Sequence, residues 1–151
     1  MKSALCLALL TLLSFHANGK QFITEDIEFT SHKVKLSGTI VFPLSEDIHS
    51  AVVFVHGSGK RERNLHWANR FASSGIAALV YDKRGVGKSG GTYEFNQSVG
   101  EKNINLLADD SIAALKAVRR HPKLKSLPVG LTGISQAGWS VPLAAEKSGL
   151  A

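Results

Sequence analysis

Apolar residues follow three patterns along this chain. In the first, they alternate with polar ones. Gln21 to Thr30 places Phe22, Ile27 and Phe29 among polar neighbours, and Val34 to Phe42 does the same with Val34, Leu36, Ile40 and Phe42. A period of two belongs to a half-buried strand, so these segments predict an antiparallel edge pair turning at Ser31-His32-Lys33. Pro43 and Ser45-Glu46-Asp47 end the pattern.

In the second pattern the residues are apolar without alternation: Ala51 to Val55, Ile76 to Tyr81 and Leu127 to Thr132. Such runs suit parallel strands covered on both faces. The third pattern is helical. Asn64 to Ser74 brings Leu65, Ala68, Phe71 and Ala72 to one face and stops at Gly75. Glu101 to Arg120 brings Ile104, Leu107, Ala108, Ile112, Leu115 and Val118 to one face and stops at His121-Pro122. Ser98 and Glu101 have the spacing of a capping box, and a further helix is expected from Gln136. Alternation of strand and helix predicts an α/β fold: a mostly parallel sheet with helices on both faces and an antiparallel N-terminal strand pair. Ligands of such sheets sit at the carboxyl ends of the strands, where His56-Gly57-Ser58, Asp82 and Ser135 all fall.

The first residues stand outside this scheme. Lys2, the apolar Ala4 to Leu13 and the small residues of Ala17-Asn18-Gly19 have the make-up of a secretory signal peptide. A stretch of ten residues is too short to span a bilayer. Residues 1–19 are expected to be the leader, with cleavage after Gly19 or after Ala17, and residues 20–151 the folded part of a secreted or periplasmic protein. An uncleaved anchor is the alternative. The single cysteine, Cys6, lies inside the leader, so the remaining chain has no thiol, disulfide or cysteine-based metal site. No cofactor and no metal are expected.

The formal net charge is +6 over 151 residues, and the positive charges gather at Lys60-Arg61-Arg63, Lys83-Arg84-Lys88 and Arg119-Arg120-Lys123-Lys125. These clusters lack interleaved aromatic residues and read as solvated basic surface, which argues against a nucleic-acid partner.

The chemistry centres on Gly133-Ile134-Ser135-Gln136-Ala137-Gly138, between the third apolar strand and the helix after it. A serine on a sharp strand-to-helix turn needs small residues two positions before and after it, so that strand and helix can pass closely. The turn exposes the hydroxyl and aims the next backbone N–H at the same point. The strict pattern is Gly-x-Ser-x-Gly; here Ala137 occupies the last position. The simpler alternative is a serine capping an ordinary helix. Acyl transfer through serine also needs donors for a developing oxyanion. Ser58 N–H, on the glycine turn after the first apolar strand, and Gln136 N–H are the candidates, with Gly57 and Gly59 as alternatives to Ser58.

The glycine loop from Arg84 to Gly91 resembles two nucleotide motifs and satisfies neither. A P-loop ending in Gly87-Lys88-Ser89 requires glycine where Asp82 stands. Gly85-Val86-Gly87-Lys88-Ser89-Gly90 fits Gly-x-Gly-x-x-Gly, but Gly91-Thr92-Tyr93 follows instead of a helix whose N-terminus could take a phosphate. The loop therefore reads as a tight surface loop at the edge of the site.

Three segments together carry a resemblance. They are Val53-Phe-Val-His56-Gly57-Ser58-Gly59, then Ser74-Gly75 through Tyr81-Asp82-Lys-Arg84-Gly85-Val-Gly87-Lys-Ser89, then Gly133-Ile-Ser135-Gln-Ala-Gly138-Trp. In this order and at these intervals they resemble the α/β-hydrolase superfamily, and within it secreted bacterial esterases and peptidase-like hydrolases of the serine aminopeptidase and dienelactone-hydrolase-like groups. The resemblance covers residues 20 to 151. It implies Ser135 as nucleophile, the Gly57-Ser58 turn as part of the oxyanion hole, and Asp82-x-Arg84-Gly85 as a structural loop. It also implies a small-molecule ester, thioester or amide substrate.

One feature departs from that family. Its acid and histidine follow the nucleophile in chain order, whereas residues 136–151 contain Glu146 but no histidine. His32, His49, His66 and His121 read as surface residues, His56 as part of the glycine-turn motif, and Asp109 and Asp110 as structural or solvated. The chain thus reads as the N-terminal half of a hydrolase domain, ending in the helix after the serine and inactive by itself. A non-catalytic secreted binding module, or an inactive fragment, is the alternative. Ending there would leave the Leu127–Thr132 strand as an open edge through which chains could self-associate.

Overall fold

In the computed structural model, which describes residues 22–44, 47–93 and 99–149, the chain forms five strands and three helices. The proposed leader lies outside the described residues. Strands β1 (Phe22–Ser31) and β2 (Val34–Pro43) form a hairpin closed by His32 and Lys33, both at positive φ (47° and 63°), as a two-residue turn between twisted strands requires. Strand β3 (Ser50–Val55), helix α1 (Leu65–Ala72), strand β4 (Ile76–Tyr81), helix α2 (Glu101–Arg120), strand β5 (Val129–Gly133) and helix α3 (Ala137–Ser148) follow in order.

The sheet order is β1-β2-β4-β3-β5. β3 pairs in parallel with β4 and β5, while β1–β2 and β2–β4 are antiparallel. The sheet is therefore mixed, and "mostly parallel" overstates it. β2 is also an interior strand. Its last residues, Ile40-Val41-Phe42, are apolar in succession and buried on both faces, and so it enters the sheet beside β4. Only β1 remains at that edge.

The alternation within each central strand sorts side chains into two layers. Val53, Val55, Leu79 and Tyr81 point to one face, where Ala114 and Val118 of α2 and Ala137 of α3 cover them. Val52, Phe54, Ala78 and Val80 point to the other, beneath Ala68 and Ala72 of α1. Helices thus cover both faces as expected. Each large aliphatic side chain so buried contributes about 1.5–3 kcal/mol.

Element ends differ from expectation for local reasons. α1 starts after Asn64, whose Oδ1 accepts from His66 N and Trp67 N. β5 starts at Val129 because Pro128 has no N–H; the Pro128 carbonyl instead accepts from Ala51 N at 2.9 Å. α2 is capped by the extended Gly100 without a side-chain bond, which corrects the capping box; Ser98 lies outside the described residues. β5 pairs with β3 alone and forms the second edge of the sheet.

Candidate active site

The carboxyl ends of β3, β4 and β5 lie side by side and bring together three segments: His56-Gly57-Ser58-Gly59, Asp82-Lys83-Arg84 and Ile134-Ser135-Gln136. Ser135 stands between β5 and α3, exposed, with φ at +54°. Among the described residues the other non-glycine positions with positive φ are the two in the hairpin turn. A serine in this region costs on the order of 1–3 kcal/mol and persists only where its surroundings hold it. Here Ala137 N donates to Ile134 O and Gly138 N to Ser135 O, closing the turn.

Close approach explains the small residues around it. A Cβ on Gly133 would stand 2.4 Å from both the Val55 carbonyl oxygen and Ala137 Cβ, so strand and helix touch at this point. Ala137 is the small residue required on the helix side, being 1% exposed, whereas a Cβ on Gly138 would meet nothing within 4 Å. Alanine in place of the pattern's last glycine therefore leaves the turn intact. Gly57 passes directly against the serine: its Cβ would lie 3.1 Å from Ser135 Cβ and 3.7 Å from Ser135 Oγ. Ser58 follows, partly exposed, and Gln136 is buried at the start of α3. The four candidate site residues thus belong to one cluster.

Sequence reasoning missed the residue at the centre of that cluster. Lys83, read as solvated surface, is 2% exposed. Its Nζ donates to Gly57 O at 2.9 Å, to Gly59 O at 3.3 Å and to Gln136 Oε1 at 2.5 Å. Burial pulls its pKa down to about 8, and the Arg61 charge adds to the effect. The signal was its place directly after Asp82, at the carboxyl end of a central strand.

Its neighbours are structural. Asp82 accepts from Arg63 N, Nε and Nη2 and from Lys88 N. Burial pushes its carboxyl up, but these hydrogen bonds outweigh it and hold the group below its ordinary range. Arg84, also expected on the surface, is buried; Nε donates to Asp110 Oδ2 at 3.0 Å, Nη2 bonds Asp110 Oδ1, and Nη2 also donates to Ser31 O. The glycine loop is more than a surface turn. Buried Ser89 donates to Asp82 O and accepts from Ser37 N, tying the loop to β2.

The histidines divide. His56 is buried against the Tyr81 ring at 4.6 Å, and neither of its nitrogens has a hydrogen-bond partner. Burial lowers its pKa to about 3, and the Lys83 charge contributes, so the ring is neutral at neutral pH. His32, His49 and His66 are exposed as expected. His121 is half-buried: its side chain is 10% exposed, bonded to Glu25 and packed on Phe42. Among the described residues no hydrogen bond reaches Ser135 Oγ, no helix is long and apolar enough to cross a membrane, and no cluster of side chains suits a metal ion. A groove of about 860 Å³ lies elsewhere, between β1 and α2, beside His32, Asp109 and Lys147.

Residues 46–148 match the protein family described as serine aminopeptidase, S33. The quorum-quenching protein AidA of Acinetobacter baumannii is 32% identical over 118 residues, which cover 77% of this chain and 37% of that protein. The dienelactone hydrolase of Anabaena variabilis superposes with a TM-score of 0.66 at 25% identity, covering 86% of this chain and 60% of that one. An esterase of Pyrococcus furiosus does so with a TM-score of 0.55 at 29% identity, covering 76% of this chain and 44% of that one. The chain spans less than two thirds of the length of each of these relatives.

Proposed function

Since the chain belongs to the serine aminopeptidase, S33, family of α/β-hydrolases, we propose that Ser135 is the nucleophile of a hydrolase acting on carboxylic esters, thioesters or small amides. The observation that carries the reading is the exposed Ser135 at φ +54°, with the Gly57 backbone packed against it. In this reaction Ser135 Oγ attacks the acyl carbon and loses its proton to a base. The carbonyl oxygen becomes an oxyanion held by Gln136 N–H and Ser58 N–H. The leaving group departs with a proton, and water then releases the acid from acyl-Ser135.

Among the described residues no base is hydrogen-bonded to Ser135 Oγ. His56 is neutral but buried without hydrogen bonds, and it does not reach Ser135 Oγ. The reading assigns the base and its acidic partner to sequence C-terminal to residue 151, following the chain order of the fold. It also takes residues 1–19 as a secretory leader, which places the protein outside the cytoplasm. The open edge of β5 would then pair with the next strand, or, in the isolated chain, with another copy.

The test is labelling with a fluorophosphonate probe, followed by mapping of the modified residue. Slow modification confined to Ser135 and abolished in Ser135→Ala is expected, with activated esters hydrolysed at least several hundred-fold more slowly than by a protein that includes the base. That margin is set by the roughly 10³–10⁴-fold residual catalysis that oxyanion donors and binding alone leave over water. Modification at another residue would overturn the assignment. The alternative reading is a secreted binding module that keeps the fold without the chemistry. Ester hydrolysis unchanged in Ser135→Ala, with stable secretion of the chain, would support that one.

A further inference from the structure

Lys83 is a buried cation whose hydrogen bonds go to no carboxylate. An ammonium has three N–H donors, and here all three find oxygens: Gly57 O, Gly59 O and Gln136 Oε1. The first two belong to the turn after β3, and the third to the residue that follows Ser135. One side chain from the end of β4 thus joins the two segments on either side of the serine.

The planarity of the peptide group gives this contact a consequence. In a trans peptide the C=O of one residue and the N–H of the next point in opposite directions. Drawing the Gly57 carbonyl onto Lys83 therefore fixes the direction of the Ser58 N–H, away from Lys83. A hydrogen bond to that carbonyl also polarises the peptide and strengthens its N–H as a donor. Holding the Gln136 side chain pins the N-cap residue of α3, whose backbone N–H is the second donor. We propose that Lys83 is the positioning residue of the oxyanion hole, a three-pronged clamp that sets the Ser58 and Gln136 N–H groups at a fixed separation across Ser135. The proposal rests on the acyl-transfer reading for its purpose, though not for its geometry.

The clamp depends on a proton. A neutral amine retains two N–H donors and turns a lone pair toward the third oxygen. The charged and titratable groups around Lys83 do not replace it. Arg61 adds positive charge from the turn side, and His56 is neutral after β3. Asp82 is occupied by Arg63 and Lys88, Arg84 is occupied by Asp110, and Tyr93 offers its ring face at 5.7 Å. Below about pH 8 the ammonium is intact and all three prongs hold; above it the clamp opens.

The experiment uses the isotopically labelled 151-residue chain. In the wild type, the Ser58 and Gln136 amide resonances should titrate together with Lys83 Nζ near pH 8; in Lys83→Met this shared titration should vanish and amide exchange at Ser58 should quicken. Fluorophosphonate labelling at Ser135 should slow roughly 10- to 100-fold in Lys83→Met, about the cost of a donor displaced by an ångström. Its rate should rise less steeply with pH above about 8 in the wild type than in the variant. Amide resonances that ignore Lys83 Nζ in the wild type overturn the clamp, and this result needs no variant to fold. Labelling with equal rates and equal pH slopes in both chains overturns it as well. If the amides follow Lys83 while no probe attaches to Ser135, the clamp stands and the acyl-enzyme reading fails.

Discussion

Lys83 and Arg84 are adjacent, both buried, and opposite in what they do. Arg84 meets a carboxylate: its guanidinium pairs with Asp110 of α2 and reaches the Ser31 carbonyl of β1, so it ties the glycine loop, the long helix and the hairpin together. Lys83 Nζ donates to carbonyl oxygens instead, those of the Gly57–Gly59 turn and of the Gln136 side chain, on either side of Ser135. A delocalised, planar cation is the economical choice for a buried ion pair. A compact ammonium with three rotatable donors suits the orienting of backbone. Successive residues leaving β4 reach different partners, so one becomes a staple of the fold and the other a part of the site.

The largest test of this contrast breaks the staple. Asp110→Ala should lower stability by about 3–5 kcal/mol, because it leaves the Arg84 charge buried without a partner. Combining it with Arg84→Met should recover most of the loss. Denaturant melts of the single and double variants measure both, and a single variant within 1 kcal/mol of wild type would place Arg84 with Lys83 rather than against it.

A second test separates structural glycine from spare glycine around the serine. Gly133→Ala forces a Cβ to 2.4 Å from the Val55 carbonyl oxygen and should destabilise by roughly 1–3 kcal/mol or more, while Gly138→Ala should change melting little, since nothing lies within 4 Å.

The third test uses pH. The folded-state pKa of Lys83, about 8, lies below its ordinary 10.5, so between these values the unfolded chain binds more protons and stability should rise with pH. The site, by contrast, should lose its clamp over the same range. Burial raises the Tyr81 phenol, which opposes the trend above pH 10 and confines the clean window to about pH 8–10. Melts of wild type against Lys83→Met through that window should diverge, and parallel curves would remove Lys83 from the titrating groups.

A fourth test concerns His56. Its folded pKa of about 3 lies below the ordinary 6.5, so its contribution to stability is present above pH 6.5 and is lost as pH falls from there toward 3. His56→Phe should flatten the stability curve between pH 6.5 and 4, before the carboxylates held low by Arg63 and Lys147 titrate. It should leave labelling at Ser135 unchanged; loss of labelling would make His56 a base after all.

Periodicity alone located the strands and helices to within two residues in most cases, because burial on one or both faces writes its own period into the chain. β4 and α2 match residue for residue. The small-x-Ser-x-small spacing likewise placed Ser135 on its turn, since a close approach between strand and helix admits only small side chains. Strand order was another matter. That β2 lies inside the sheet, antiparallel to β4, follows from which strands meet, and local pattern carries no such information. The fate of the basic residues was equally hidden. Lys60 and Lys88 are exposed, while Lys83 and Arg84 are buried and Arg63 half-buried in loops of the same composition. Charge in a sequence shows only that a partner is needed. Whether the partner is water, a carboxylate such as Asp110, or the carbonyls beside Ser135 depends on groups 24 to 53 residues away, and the folded chain alone brings them within reach.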